Sequence, residues 1–307
     1  MRVFDLHCDA LLKLHEDRTL SFKDAPALNV NAERLTKGEI GLQVFAVFVE
    51  PYIPSDEKFQ TALEQIDLFH TEIIAKHPEI KKITDWDDLR SLNENETGAL
   101  LSLEGADAFG NDLTKLRTLY QLGVKSVGLT WNNANLCADG VGERRGAGLT
   151  ELGFEVVRMN NEAKVWTDLS HLSERSFWDA VETAHYPVAT HSNSKSVCPH
   201  RRNLNDKQAE AIFKKNGLIG VVYCPEFVKG EENAGIDDLI AHIDHFCALG
   251  GKKHVALGSD FDGISTFVKH LEHSGKYQNL INELQKRYSE ETVRDFAYQN
   301  VLNQLPV

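Results

Sequence analysis

The chain lacks the cysteine pattern of a disulfide scaffold. Its five cysteines (Cys8, Cys137, Cys198, Cys224 and Cys247) are odd in number and widely spaced, with no C-x-x-C pair, so a disulfide framework is not expected. No apolar run approaches the roughly 18 to 20 residues of a membrane span, and no charged-then-apolar leader precedes Met1-Arg2-Val3. A cytoplasmic protein without a membrane segment is expected. Positive charge is also short: 33 Lys and Arg stand against 46 Asp and Glu, for a net charge of −13 and a pI near 5.5. That balance excludes a general attraction to phosphate backbones or anionic lipid, and with it nucleic acid or a membrane as the expected partner. A small molecule is expected instead. There is no internal repeat, low-complexity tract or Pro/Gly-rich linker, so residues 1–307 are expected to form a single domain.

What is present is ordinary globular material, 42% hydrophobic and 26% charged, arranged in an alternating pattern. Short runs rich in Val, Ile, Leu and Phe fall at 3–4, 42–49, 99–103, 126–130, 164–169, 187–190, 218–223 and 255–258. Amphipathic stretches separate them at 58–76, 113–122, 151–162, 174–184, 206–215 and 236–249. Helix-start signals are visible at Ser173-Glu174 and Asn205-Asp206. Eight strands with intervening helices predict an α/β fold of the (β/α)8 TIM-barrel type, with a doubly wound open sheet as the alternative. Two further helical stretches, 277–288 and 290–302, are expected to pack outside the barrel. The longest irregular region, 132–148, is glycine-rich and is expected to lie over the barrel mouth.

The chemistry begins at Asp5-Leu6-His7-Cys8-Asp9. Residues two apart on a strand face the same side, which sets the Asp9 carboxylate beside the His7 imidazole, two good ligands for a borderline ion such as zinc. Cys8, between them, should point away as a small buried hydrophobe. Other polar residues also follow strands: Glu104, His171, His191 and Asp260. In a (β/α)8 barrel the C-terminal strand ends converge, so these six side chains should meet. A lone histidine after a strand is ordinarily a core or loop residue; the coincidence across five units is what points to a site. Five strong ligands would crowd one tetrahedral zinc, which predicts two ions, with His7 and Asp9 on one, His171 and His191 on the other, and Glu104 bridging. A hydroxide held between the ions would be the nucleophile. His242 and His245, three apart on a helix, read as a solvated face, and His270 and His273 as part of a polar loop.

Five motifs in order carry a resemblance: Asp5-Leu6-His7-Cys8-Asp9, Leu103-Glu104-Gly105, Asp168-Leu169-Ser170-His171, His191-Ser192 followed by Arg201-Arg202-Asn203, and Gly258-Ser259-Asp260-Phe261-Asp262-Gly263. Over nearly its whole length the sequence resembles the membrane or renal dipeptidases, the zinc dipeptidase family (peptidase family M19) of the amidohydrolase superfamily. The resemblance implies a binuclear zinc site on His7, Asp9, Glu104, His171 and His191. It implies that Asp260 moves a proton from the bridging water to the leaving amine, and that Arg202 holds the terminal carboxylate of the substrate with paired hydrogen bonds. Where many members of that family carry Leu-Thr-His, this chain reads Leu129-Thr130-Trp131-Asn132, so the histidine held to stabilise the oxyanion is absent. Trp131 and Asn132 therefore become the expected substrate contacts, with Asn133 and Asn135 as possible replacements. The secretory signal, lipid anchor and disulfides of the animal members are not carried over, and dimers are frequent in the family, so a homodimer is possible. The expected activity is hydrolysis of a dipeptide with a free C-terminal carboxylate. The alternatives are another amidohydrolase reaction, on an N-acyl amino acid, a lactone or a β-lactam, or a catalytically weak barrel that binds a peptide.

Overall fold

The computed structural model describes residues 1–306 apart from Glu232. Its strands are β1 (Val3–Cys8), β2 (Ile40–Phe48), β3 (Ile80–Lys82), β4 (Thr97–Glu104), β5 (Val124–Gly128), β6 (Trp166–Asp168), β7 (Pro187–Ala189), β8 (Leu218–Val221) and β9 (Val255–Leu257). Every pairing between them is parallel. The order β2-β1-β9-β8-β7-β6-β5-β4 is closed by pairing of β2 with β4, making an eight-stranded (β/α)8 barrel. The ninth strand, β3, was not expected. Its three residues, Ile-Lys-Lys, carry too little apolar character to read as a strand, and they pair only with Thr97 to Ala99 at the start of β4, before β5 begins at Val124.

The helices Lys58–Leu68, Leu113–Leu122, Glu151–Glu162, Glu174–Thr183, Asp206–Lys214 and Ile236–Ala248 fall where the periodicity places them. Two short helices between β1 and β2, Ala10–Glu16 and Ala32–Gly38, were not anticipated. Local chemistry fixes several starts. Ser173 accepts the Ser176 N–H, and Asn205 and Gln208 form a reciprocal capping box, each satisfying an amide that has no partner inside the helix. The C-terminal stretch is helical over Tyr277–Gln285 and again from Glu290–Arg294, with a π turn at Asp295–Gln299.

Alternate strand positions divide between two apolar clusters. Phe4, Leu6, Leu42, Val44, Leu100, Trp166, Val188, Leu218 and Ala256 belong to one, with Trp86, Val301 and Leu305. Their neighbours Phe45, Val47, Leu101, Ile219 and Leu257 belong to the other, with the surrounding helices. The first cluster is the barrel interior and the second the strand–helix layer, as the two-residue strand period requires. The interior is apolar and stacked below, with Trp86 and Trp166 ring centroids 4.6 Å apart. Toward the C-terminal strand ends it gives way to polar side chains. No helix among the described residues is long and apolar enough to cross a membrane.

Candidate metal centre

His7 is the penultimate residue of β1 and Asp9 lies just beyond its end; Glu104 ends β4. His171, His191 and Asp260 follow β6, β7 and β9. A register shift between Asp5 and Cys8 breaks the alternation that sends Phe4 and Leu6 inward, so that Cys8 lies fully buried in the strand–helix layer, and His7 Nε2 comes 3.4 Å from Asp9 Oδ2. The two oxygens of Glu104 diverge. Oε2 lies 3.4 Å from His7 Nε2, and Oε1 lies 3.0 Å from His171 Nε2 and 3.9 Å from His191 Nε2. Two triads of potential ligand atoms therefore share Glu104, namely His7 with Asp9 and His171 with His191. Asp260 joins His7 and His191 in a third group, its Oδ1 3.8 Å from His7 Nε2.

Hydrogen bonds at the far side of each imidazole decide what the near side offers. Thr190 donates its hydroxyl proton to Asp168 Oδ2, so its oxygen, 2.9 Å from His191 Nδ1, accepts from that nitrogen. Asn132 Oδ1, 2.9 Å from His171 Nδ1, likewise accepts. Both rings then turn unprotonated Nε2 lone pairs toward one another at a separation of 2.8 Å. Two lone pairs so placed repel unless a cation lies in reach of both. His7 Nε2 is buried among three carboxylates without a well-formed hydrogen bond. These unspent nitrogens and the surplus of carboxylate oxygen are the donor set of a nitrogen- and oxygen-ligated metal, so the residues present fit one.

The electrostatics agree. Burial would lower the His7 pKa, but Asp9 and Glu104 outweigh it and raise His7 well above the ordinary histidine value. Burial, reinforced by Arg202, lowers His171 to about 4, and burial with His7 and His171 pushes His191 well down. Burial would raise Glu104, yet His7 and His171 reverse it and hold its carboxyl well below the carboxylate range. Asp260 is raised well above that range by burial, and Asp9 and Glu104 add to the effect.

Strain and close packing support the geometry. His171 and Asp260 adopt left-handed backbone conformations, with φ of 66° and 65°, uncommon away from glycine and costing on the order of 1 kcal/mol or more each. The Val141 N–H to His171 O bond (2.7 Å) and the Asp260 N–H to His7 O bond (3.1 Å) hold them. Gly263 is required by proximity: a Cβ there would lie 2.3 Å from Asp9 Oδ2 and 2.8 Å from Asp260 Oδ1. Asp5, fully buried, accepts from Ser259 N (2.8 Å) and Oγ (2.6 Å), tying β1 to the loop that carries Asp260.

Arg202 is buried, not a surface residue. One Nη2 proton goes to the His191 carbonyl at 3.0 Å, Nε has no partner, and the guanidinium lies 5.4 Å from the Phe227 ring centre. It lines a cavity of about 200 Å³ together with His171. Trp131 packs on Phe48 (ring centroids 5.4 Å) and near His171 (6.2 Å), and lines a second cavity of about 220 Å³ with Glu104. Asn132, expected toward the substrate, has its side-chain carbonyl turned onto His171. Asn135 is spent on Asp107 Oδ2 (3.0 Å) and Leu129 O (2.7 Å), whereas Asn133 does line the Trp131 cavity. His242 departs from the solvated face expected of it. It is fully buried, accepting from Ser194 N–H (3.1 Å) and donating to Val228 O (2.9 Å); His245 pairs with Asp206 at 2.8 Å. His270 and His273 lie outside the cluster. Sequence reasoning missed Asp5, Thr190 and Ser259 as supports. A carboxylate inside the apolar strand Val3–Cys8 was the signal for Asp5; nothing local marks Thr190.

A sequence model of the membrane dipeptidase family, peptidase family M19, matches residues 1–306. An uncharacterized dipeptidase of Schizosaccharomyces pombe is 31% identical over 284 residues, 87% of this chain and 68% of that protein. Among solved structures, a metallo peptidase of family M19, dipeptidase AC, superposes with a TM-score of 0.93 at 27% identity, covering 99% of this chain and 98% of its own. A metallo peptidase from Rhodobacter sphaeroides, liganded with a phosphinate mimic of the dipeptide L-Ala-D-Ala, gives the same TM-score of 0.93 at 26% identity and the same coverage, 99% and 98%.

Proposed function

The chain belongs to the membrane dipeptidase family, peptidase family M19, and is a metallopeptidase; from that premise we propose that it hydrolyses the amide bond of dipeptides with a free C-terminal carboxylate, using two zinc ions. His7 and Asp9 would hold one ion, His171 and His191 the other, and Glu104 both. The observation that carries this reading is the divergence of the two Glu104 oxygens, one toward each pair of ligands. Bound there, the ions would acidify a shared water and polarise the substrate carbonyl.

The chain's own residues supply the rest. Asp260 stands within reach of the same centre; burial and the neighbouring carboxylates raise the proton affinity of its ionised carboxylate, which suits that carboxylate to take a proton from the attacking water and, once protonated, to give it to the leaving amine. Arg202 has unspent N–H groups in a buried setting beside His171, suited to a carboxylate met by two parallel bonds. Cavities of about 200 and 220 Å³ lie on either side of the His171–Glu104 contact, one lined by His171 and the other by Glu104. They suit two residues rather than a long peptide, in keeping with the dipeptide mimic bound by the Rhodobacter sphaeroides relative. Trp131 favours one rival reading, a barrel that binds a peptide without turning it over, because an indole N–H donates one hydrogen bond but carries no charge.

Metal content by mass spectrometry, on protein purified without chelator and alongside His171→Ala and Glu104→Ala, tests the centre. About two zinc equivalents per chain, lower in both variants, and turnover of a dipeptide panel are expected. No bound metal and no activity after zinc addition would refute the proposal; tight dipeptide binding without turnover would favour the rival.

A further inference from the structure

The Trp131 cavity carries chemistry that the hydrolytic reaction does not use. Phe48, Val49, Pro51, Trp131 and Ala134 form its apolar side, Asp107 and Asn133 its polar side, and Glu104 connects it to the metal centre. Into it comes Lys58, first residue of the helix Lys58–Leu68 and only 7% exposed. A lysine buried to that degree is ordinarily matched by several acceptors, because the ammonium has three protons and is costly to desolvate. Among the described residues Lys58 has one acceptor, Asp107 Oδ1 at 3.3 Å. Asp107 is better satisfied, since its second oxygen already takes the Asn135 amide at 3.0 Å. Among the buried groups that line this cavity, the hydrogen-bonding capacity left over is therefore donor capacity on Lys58, with the exposed Asn133 amide at its rim.

We propose that this cavity receives the side chain of the substrate's amino-terminal residue, and that Lys58 selects a side chain ending in an oxygen acceptor, a carboxylate or a carboxamide. The proposal rests on the dipeptidase reading for its orientation. Arg202 lines the cavity on the His171 side of the centre and so takes the carboxyl-terminal residue, which leaves the Glu104 side to the amino-terminal one. The aromatic and aliphatic walls accommodate the methylene stem, and Lys58 meets the polar end. Trp131, which stands where many relatives are expected to carry histidine, closes this cavity and gives it its apolar wall.

The test is calorimetric titration of Glu-Ala, Gln-Ala and Leu-Ala into zinc-loaded Asp260→Asn protein, in which hydrolysis is suppressed, with Lys58 intact or replaced by Met or Arg. A hydrogen bond to a charged donor supports a preference of roughly tenfold or more. Glu-Ala and Gln-Ala are therefore expected to bind at least about tenfold more tightly than Leu-Ala, and the ratio between the first two separates carboxylate from carboxamide recognition. Lys58→Met should collapse the preference over Leu-Ala, and Lys58→Arg should retain most of it. Equal affinity for all three with Lys58 present, binding of none of them, or an equal loss for all three in Lys58→Met would overturn the proposal. Absence of dipeptide turnover in the parent enzyme, with the binding preference intact, would instead count against the hydrolytic reading alone.

Discussion

Thr190→Val is the sharpest probe of the centre. The residue is fully buried, and valine nearly reproduces its shape while removing the hydroxyl, which is not an energetically neutral exchange. In the parent the hydroxyl accepts from His191 Nδ1 at 2.9 Å and donates to Asp168; Asp168 also takes the Thr190 and Ser170 N–H groups at 3.0 and 2.9 Å. Loss of the hydroxyl leaves the Nδ1 proton without an acceptor in a dry site, a cost of about 1–3 kcal/mol. It also removes the bond that keeps the proton off Nε2, the nitrogen that faces His171. Loss of such an outer partner ordinarily weakens metal affinity about 10- to 100-fold, or ~1.4–2.7 kcal/mol. The assay is competition of apo-protein with a chromophoric chelator for zinc, together with thermal unfolding in excess chelator. If the proposed two-zinc centre holds, one of its two zinc affinities should weaken by that factor, and the chelated Tm should fall by a few degrees. Unchanged affinity of both ions would refute the argument that Asp168 and Thr190 set the His191 tautomer.

Three further outcomes are expected. Arg202→Met should raise KM for dipeptides on the order of a hundredfold with a smaller effect on kcat, and Arg202→Lys should not restore it, because an ammonium cannot present the planar fork; steady-state kinetics decide. Gly263→Ala should cut turnover at least about a hundredfold, since its Cβ must displace the Asp9 and Asp260 carboxylates; metal content and kcat measured together check this. His242 has its pKa lowered to about 4, chiefly by burial. Between the ordinary value of 6.5 and about 4 the unfolded chain binds a proton that the folded chain refuses, so stability falls as pH falls through that window, by up to about 3 kcal/mol. In chelator, His242→Gln should lose about 2 kcal/mol less than the parent between pH 7 and pH 5 in urea unfolding.

The alternation of apolar runs and amphipathic stretches specifies the barrel because each strand–helix unit must bury its own apolar face, and that pattern is local. So are the caps at Ser173 and Asn205. The strand β3 escaped notice because a three-residue Ile-Lys-Lys segment has no period to read; it pairs only because the start of β4 offers a free edge there. The short helices between β1 and β2 likewise depend more on tertiary packing than on a long amphipathic repeat.

For the site, the sequence by itself determined which side chains stand at strand ends, and barrel closure turns that list into proximity. His7, Asp9, Glu104, His171, His191 and Asp260 meet for that reason. Only the tertiary structure decided which way each group faces. It set the two Glu104 oxygens toward different histidines, turned Asn132 onto the His171 ring, and buried His242 between Ser194 and Val228. It also brought Thr190 of one strand end against Asp168 of its neighbour, and Lys58 against Asp107 across 49 positions of sequence. Orientation and hydrogen-bond partnership arise from contacts between distant segments, so no local pattern encodes them.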